Sequence, residues 1–480
     1  MHFTIPKAEE LKDKNGAAFT GYTIHADGKL HCVVRYRQLS CLHDQLKRVF
    51  GARALPTFPP KKLLHLNSEE VEERRMLLER YLQLVSQDSK VFSSEVFNGF
   101  LVSAQLETQS AAPEQVTLDV YLLNNYRISV TASSTLQTDD VLEKTCQQIN
   151  LPPRLTYYFG LFMMKKTEES YTIVRKLHDF EAPFISLRTA GHTPEHRIVL
   201  RKNYWDTSYD ADLLEDTVGR NLLYVQTVSE VEWGWMSADT DTRARLTMLQ
   251  AKGNKREYVA LAQQLPFYGY MQFEPCTCDF PVAGTRARVS IGNKELNIRI
   301  PPGEGGARNT VREGSFKVTR MRCWRISSVE PVPAEAGGAG PSSAAAGPTG
   351  PQLELSFEYL MSRDQLQWVR LASPQAVLMS VCLQALVEEL LRRRKGLGIP
   401  RPGEKVHNVN FNYLTRDGSL QHVNARSGAG DSEHVDCDSG ISFRKLSNKL
   451  SQLNLVGRIS LASNRTVENN AFDEIGDDEL

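Results

Sequence analysis

Cationic and aromatic side chains near the amino end have the types and spacing of a phosphate-binding site. Arg35 and Tyr36 lie in "VVRYRQL", where two valines end a strand and leucines at helical spacing begin. Lys61 follows a Pro-Pro corner in "FPPKKL", and Arg74 lies in "RRMLLERYL". A guanidinium group matches phosphate oxygens with paired hydrogen bonds, and a lysine supplies a second point charge. These four residues predict a cationic pocket with one aromatic wall.

The helix that carries Arg74 has clear start signals, with Asn67 or Ser68 as its cap. Steps of three and four from Val71 reach positions 74, 78, 81 and 85, so Arg74 falls on the apolar stripe. A guanidinium group that faces a core is costly unless an acceptor pairs with it. For Arg74 taken alone, a buried ion pair with a local glutamate therefore remains an open interpretation.

Length and charge limit the possible classes of protein. A chain of 480 residues is too long for a single core and predicts two to four domains. Lys plus Arg and Asp plus Glu both number 57, so no bulk field attracts the chain to nucleic acid or to a membrane. We expect no nucleic-acid partner, and attraction to an anionic surface must come from a local patch.

Cysteine usage and motif content point away from secretion and catalysis. The 8 cysteines are scattered without a CxxC pair, which predicts reduced thiols in a cytoplasmic protein. The amino end has no apolar signal region, and no later stretch has 18 uninterrupted apolar residues. The phosphate-loop, GxSxG and HExxH motifs do not occur. We expect no enzyme, cofactor or metal.

The three amino-terminal stretches together resemble the phosphoinositide-binding PX domain. Its signature is R-[RK]-[YF], a proline-rich loop and a helix with RRxxLxxYL, and this chain departs from it at Val34, where the family has its first arginine. The resemblance implies that the ligand is phosphatidylinositol 3-phosphate. It implies that Arg35 binds the 3-phosphate, Tyr36 packs against the inositol ring, Lys61 contacts the 1-phosphate and Arg74 holds ring hydroxyls.

The middle of the chain resembles the three-lobed FERM module. A hairpin in "VTLDVYLLNNYRISVTA", a capped helix and further strands follow the order of a ubiquitin-like fold. Helical segments come next, then "QQLPFYGYMQF", more strands and a long closing helix. We therefore expect an α+β multidomain protein. Its predicted parts are a PX domain (1–109, a small antiparallel sheet plus helices), a ubiquitin-like lobe (115–203), a helical lobe (204–270), a PTB/PH-like lobe whose sheet is closed by a C-terminal helix (271–395) and a disordered tail (396–480).

The closing helix and the strand "FKVTRMRCWRIS" are expected to border a groove. An extended peptide can add itself to an exposed sheet edge through backbone hydrogen bonds, with side-chain pockets that give specificity. The third FERM lobe has this phosphotyrosine-binding-like shape. The resemblance implies that Trp324 lines the groove and that Val387 and Leu391 lie opposite on the helix. The residues alone leave a core aromatic as an equal interpretation of Trp324.

PX followed directly by FERM is the order of the PX-FERM sorting nexins, and "VLRKNYWDTSYD", "REGSFKVTRMRCWRISS" and "FEYLMSRDQLQWV" resemble that group. The resemblance implies a monomeric cargo adaptor, peripheral on the early endosome membrane, that sends cargo to recycling and away from lysosomal degradation. Its implied partners are NPxY or NPxF motifs in receptor tails, such as those of the LDL-receptor family and integrin β chains. The alternative is a FERM-type membrane–cytoskeleton linker or scaffold, which the acidic C-terminus disfavours.

The tail holds a sequence similar to such a cargo motif. "NNAF" places Asn469 and Phe472 in an N-x-x-F pattern without the proline that preorganises a turn, so we expect weaker binding than cargo. A flexible tether of roughly 75 residues gives it around millimolar effective concentration at the groove. The acidic terminus resembles a docking motif for the retriever recycling complex, with Ile475, Gly476, Asp477, Asp478, Glu479 and Leu480. The alternative is a solvated acidic tail.

Overall fold

A computed structural model describes most of the 480-residue chain. The described residues are 2–13, 16–62, 66–166, 171–190, 195–302, 311–329, 352–362, 365–399, 411–423, 465–469 and 472. They form the predicted PX lobe and three FERM-like lobes, together with three strands from the tail. The chain is therefore mixed α and β throughout, as expected.

The PX lobe is a four-stranded antiparallel sheet covered by helices. The cap of its second helix is Asn67, which accepts the N–H of Glu70 while Glu70 accepts the N–H of Asn67, so one of the two predicted caps is confirmed. Its elements are β1 (Phe3–Thr4), β2 (Ala8–Lys12), β3 (Ala18–Ala26), β4 (Lys29–Arg35), α1 (Tyr36–Phe50), α2 (Ser68–Gln87), α3 (Ser89–Phe92) and α4 (Glu95–Thr108).

The first FERM lobe has the predicted ubiquitin-like order, in which an antiparallel hairpin pairs in parallel with the last strand. Its strand order across the sheet is β6-β5-β9-β7-β8. Its elements are β5 (Gln115–Tyr121), β6 (Arg127–Ser133), α5 (Thr138–Gln148), β7 (Phe159–Lys166), β8 (Tyr171–Lys176), α6 (Pro183–Thr189) and β9 (His196–Lys202).

The second FERM lobe is helical, as predicted, because its apolar residues recur at helical spacing between asparagine and aspartate caps. It consists of α7 (Asp210–Glu215), α8 (Thr217–Glu232), α9 (Thr240–Ala251) and α10 (Lys255–Ala262).

The third FERM lobe is an antiparallel sheet closed by one long helix, α11. Along the sheet the order is β14-β13-β12-β11-β17-β16-β15, so β15 would be an edge strand without further pairing. The elements are β10 (Met271–Gln272), β11 (Cys276–Cys278), β12 (Thr285–Gly292), β13 (Glu295–Ile300), β14 (Arg312–Lys317), β15 (Met321–Val329), β16 (Gln352–Ser362), β17 (Gln365–Ala372) and α11 (Ala376–Arg394).

The expectation that the whole tail is disordered is wrong. Composition predicts disorder from residue 396 onward, but the structure contains β18 (Phe411–Leu414), β19 (Leu420–Val423) and β20 (Arg465–Glu468). β18 packs on the PX lobe and pairs with β19, and β20 pairs with β15 of the third FERM lobe, contacts that a composition rule does not detect. The Gly-, Ala-, Ser- and Pro-rich stretch 333–351 predicts a flexible loop and residues 443–455 predict a short helix, and both ranges lie outside the described residues.

Buried contacts join the PX lobe to the first and third FERM lobes. Asp27, in the turn after β3, lies 2.6 Å from Nε2 of His178. Phe180 of the first FERM lobe is buried within the apolar core of the PX lobe. His2 is hydrogen-bonded to Ser380 on α11. The searched part of the chain contains no helix that is both long and apolar enough to cross a bilayer.

Candidate functional sites

Arg35, which is predicted to bind the 3-phosphate, lies at the junction of β4 and α1. Its Nη2 donates to a carboxylate oxygen of Asp13 at 3.1 Å, and its guanidinium carbon lies 3.9 Å from the centre of the Phe19 ring. Its Nε–H is buried and has no hydrogen-bond partner among the described residues. Such a donor is costly to leave unpaired, so the site suits an additional anionic acceptor.

Arg74 faces the same region from α2. Its guanidinium carbon lies 4.4 Å from the centre of the Tyr36 ring, a cation–π contact. One of its terminal nitrogens is buried without a partner in the described part of the chain. The structure therefore brings Arg74 and Tyr36 together, as predicted.

The ion pair considered for Arg74 belongs to its neighbour instead. Arg75 pairs with Glu72 at 2.6 Å and with Glu79 at 3.5 Å, and it also donates to the carbonyl of Ile5. The carboxylate of Glu79 in turn accepts the N–H of Ile5 at 2.7 Å. Consecutive arginines thus divide two roles, one stabilising the lobe and one facing the pocket.

Tyr36 connects the pocket to the proline corner that precedes Lys61. Its hydroxyl donates to the carbonyl of Pro59 at 2.7 Å, and its ring centre lies 5.6 Å from that of Phe58. Lys61 follows the corner and is exposed. Burial raises the pKa of the Tyr36 phenol, and Arg74 opposes that shift, as it does for Tyr22. Both phenols are neutral at pH 7, as an unperturbed tyrosine also is.

A second candidate site lies along β15, where the tail strand β20 adds antiparallel to the sheet. The register pairs Trp324 with Val467 and Arg325 with Thr466. This is strand addition, in which main-chain hydrogen bonds supply affinity and alternate side chains enter pockets. The predicted edge strand therefore accepts an extended segment, and that segment belongs to the chain itself.

Asn469 fixes the end of this added strand. Its side-chain amide donates to the carbonyls of Val318 and Met321, both at 2.7 Å, and its backbone N–H donates to Arg322 at 3.1 Å. The side chain is only 3% exposed. The N–H of Phe472 then donates to the carbonyl of Asn469 at 2.9 Å, which closes a turn. The N-x-x-F segment thus combines a strand, a buried asparagine and a turn.

The three residues predicted to line the groove share its apolar cluster. Trp324 and Val387 are buried, Leu391 packs against them from α11, and Val467 of the tail belongs to the same cluster. Trp324 Nε1 donates to Ser380 Oγ at 2.8 Å. The indole is therefore packed between sheet and helix while its backbone borders the added strand. The structure thus places the Trp324 side chain in the core of the lobe, and its role in lining the groove stays a prediction.

Sequence reasoning missed several residues at both sites. Asp13 and Phe19 flank Arg35 but lie in a separate hairpin, so no spacing rule connects them. The sequence did hold a signal for Val467. In "RTVENNAF" two β-branched residues, Thr466 and Val467, come shortly before Asn469 and favour a strand. The residues from Ile475 to Leu480 lie outside the described residues.

The chain matches four protein-family profiles. A PX domain profile covers residues 22–104, and the F1 lobe of the sorting nexin 17/27/31 FERM domain covers 116–205. The F2 lobe of the sorting nexin 17/31 FERM domain matches 206–266, and the sorting nexin 17 FERM C-terminal domain matches 269–391.

Full-length relatives agree with these profiles. The chain is 44% identical to sorting nexin-17 of Danio rerio and 43% identical to that of Homo sapiens, with 100% of each chain covered in both cases. It is 35% identical to sorting nexin-31 of Homo sapiens, over 81% of this chain and 86% of that one. Among solved structures, the chain is similar to the myosin VII MyTH4-FERM MF2 domain of Dictyostelium discoideum. The match covers 73% of this chain and 70% of that one, with 10% identity and a TM-score of 0.38.

Proposed function

Because this chain belongs to the sorting nexin-17 family, we propose that it is an endosomal cargo adaptor that binds a lipid headgroup and a receptor-tail peptide at separate sites. The observation that carries the proposal is the addition of an N-x-x-F segment to β15, with Asn469 buried at its end. A lobe that accepts this segment from its own chain has the backbone and side-chain partners for a similar segment from a receptor.

The lipid that we propose is phosphatidylinositol 3-phosphate. Arg35 would bind the 3-phosphate, Tyr36 would pack against the inositol ring, Lys61 would contact the 1-phosphate and Arg74 would hold ring hydroxyls. The unpartnered buried N–H groups of the two arginines support this assignment among the residues that the structure describes. With no bulk charge on the chain, this pocket would supply the main attraction to an endosomal membrane.

The cargo that we propose is an NPxY or NPxF motif in a receptor tail, including tails of the LDL-receptor family and of integrin β chains. Such a motif would pair with β15 as β20 does and would place its asparagine where Asn469 lies. Its apolar residues would contact the surface that Val387 and Leu391 share. Both sites on one chain would hold cargo on the membrane with avidity.

We also assign a switch to the tail. The internal segment occupies the groove until cargo displaces it, because the two compete for the same strand edge. Release of Phe472 would then free the acidic terminus, from Ile475 to Leu480, to bind the retriever complex and send cargo to recycling. Deletion of residues 465–480, which removes β20 together with the N-x-x-F segment, should tighten the binding of an NPxY peptide, and unchanged affinity would exclude the competition.

The whole proposal is tested with the full-length chain, liposomes and peptides. Arg35→Gln should abolish sedimentation with 3-phosphorylated liposomes, because a charged hydrogen-bonded contact contributes on the order of 2–3 kcal/mol. Arg80→Gln, an exposed arginine on α2, is the matched control and should bind normally. Retained binding by Arg35→Gln would refute the pocket assignment.

The same preparations separate the two sites. Leu391→Asp should abolish binding of an NPxY peptide, since it places a charge on the apolar surface, and should leave liposome binding intact. In cells the Arg35→Gln protein should become diffuse in the cytoplasm instead of peripheral on early endosomes. A Leu391→Asp chain that still binds the peptide normally would place the cargo site elsewhere.

A further inference from the structure

The tail hairpin of β18 and β19 is packed into the PX lobe as part of its core. Phe411 and Tyr413 are 2% and 1% exposed, and both belong to the apolar cluster of that lobe. The ring centre of Tyr413 lies 5.8 Å from that of Phe100 on α4. Gln45 on α1 and Asn412 exchange two hydrogen bonds, at 2.7 and 2.9 Å. A segment about 300 residues further along the chain therefore completes this lobe.

The docked hairpin requires a glycine on helix α4, at position 99. A Cβ atom placed on Gly99 would lie 2.1 Å from a ring carbon of Phe411. Glycine within a helix costs about 1 kcal/mol relative to alanine, so an interior glycine needs a packing reason. Here the reason is the close approach of the Phe411 ring.

The polar face of the hairpin reaches the corner that carries Arg35. The guanidinium group of Arg416 donates to the carbonyl of Val33 at 2.7 Å from Nη2 and at 3.2 Å from Nε. Val33 lies two residues before Arg35 on β4. The backbone N–H of Arg416 donates to Glu107 at 2.7 Å, which holds the turn of the hairpin against the end of α4.

Gln38 continues this connection to Arg35 itself. Its Oε1 accepts the backbone N–H of Arg35 at 2.8 Å. Its Nε2 lies 3.0 Å from the hydroxyl of Tyr413 and 2.9 Å from the carbonyl of Leu414. The same nitrogen lies 2.9 Å from Glu107, which also accepts from the Tyr413 hydroxyl at 2.7 Å. The N–H of Arg35 and the carbonyl two residues before it are thus bound by groups that contact the hairpin or belong to it.

We propose that the hairpin at 411–423 is needed for full headgroup affinity. In this hairpin, Arg416 and Tyr413 are positioning residues for Arg35. They act on Arg35 through the Val33 carbonyl and through Gln38, by fixing the direction from which the Arg35 side chain leaves the backbone. The inference rests on the proposed lipid-binding function. It makes headgroup affinity depend on a tail segment that the PX signature does not include.

The experiment uses the full-length chain and titrates a soluble short-chain phosphatidylinositol 3-phosphate by calorimetry. Arg416→Gln should weaken headgroup binding about fivefold. This is the change in affinity that corresponds to the loss of about one hydrogen bond. Arg416→Lys keeps a cationic donor for the Val33 carbonyl and should restore most of the affinity. Phe411→Ala, which undocks the hairpin, should weaken binding at least as much as Arg416→Gln.

Hydrogen exchange at the Arg35 amide gives a second readout that general destabilisation does not mimic. In Arg416→Gln this amide should exchange faster while amides in the middle of α2 keep their protection. Unchanged affinity and unchanged exchange at Arg35 in both Arg416→Gln and Phe411→Ala would overturn the proposal. If the unmodified chain fails to bind the lipid, the proposed function fails, and exchange at Arg35 still decides whether the hairpin positions that residue.

Discussion

The headgroup pocket and the peptide groove differ in what satisfies their hydrogen-bonding groups. In the pocket, Arg35 and Arg74 each keep a buried N–H that has no partner among the described residues. In the groove, the edge of β15 is paired with β20, and Asn469 satisfies two further carbonyls. In the function that we propose, the pocket would receive an external anion, whereas the groove holds a segment of the same chain that would compete with cargo.

This difference also separates two kinds of recognition. The proposed pocket would recognise charge through side chains, and its affinity would depend on a few guanidinium groups. The proposed groove would recognise an extended backbone with one asparagine, and its apparent affinity for cargo would be reduced by the fraction of time the tail occupies it.

The largest effect is expected from the two neighbouring arginines of α2. Arg74→Gln should weaken headgroup binding about thirtyfold, since it removes a charged donor worth roughly 2 kcal/mol. Arg75→Gln should leave headgroup affinity within about twofold but lower the free energy of unfolding by about 3 kcal/mol, because Glu79 loses its buried partner. Calorimetry and thermal unfolding check both variants. Equal loss of affinity in the two would show that the pocket assignment of Arg74 is wrong.

The next effect concerns the groove. Asn469→Ala removes the two side-chain hydrogen bonds to Val318 and Met321. The tail strand should then compete less well, and an NPxY peptide should bind about tenfold more tightly to the full-length chain. Asn412→Ala is the control, since the bonds between Asn412 and Gln45 use the Asn412 backbone. No gain in affinity would mean that the tail does not restrict access.

A smaller effect is expected from salt. Raising the ionic strength from about 0.1 M to about 1 M shortens the Debye length from roughly 10 Å to 3 Å, so headgroup binding should weaken about fivefold. Peptide binding to a chain that lacks residues 465–480 should change less than about twofold, because backbone pairing carries no net charge. Fluorescence anisotropy with a labelled peptide and a labelled headgroup compares the two in one buffer series. Equal salt dependence would remove the proposed distinction.

The smallest effect concerns the buried contact between the PX lobe and the first FERM lobe. Burial lowers the pKa of His31 to about 4, and its charged neighbours include Glu181, Arg175 and His178. A lowered histidine pKa means that the unfolded chain binds more protons, so stability is present above pH 6.5 and falls as pH decreases towards 4. From pH 7.5 to 5.5 this should cost about 1 kcal/mol.

Thermal unfolding at the two pH values measures this change, with His31→Gln as the comparison. The variant should lose less stability on acidification, because it has no group to protonate at that position. An equal loss in both chains would mean that other groups carry the pH dependence.

Much of the fold and the pocket follows from local sequence. The capped helix at Asn67, the hairpin around residues 122–126 and the closing helix α11 are encoded by caps, turns and apolar periodicity over short stretches. The family signature added roles for Arg35, Tyr36, Lys61 and Arg74, and the structure brings Arg74 and Tyr36 into contact. Lys61 is placed only as an exposed residue after the proline corner, so its role stays a prediction.

Local sequence therefore predicted most of the elements up to residue 395 and the residue types of the pocket, because those depend on neighbours along the chain. Tertiary structure alone decided that Arg75 and not Arg74 forms the ion pair, and that Phe180 and Phe411 enter the core of the PX lobe. It also decided that β18, β19 and β20 are strands inside a segment of disordered composition. These outcomes depend on apolar area and hydrogen-bond partners supplied by residues far away in the chain, which no local pattern records.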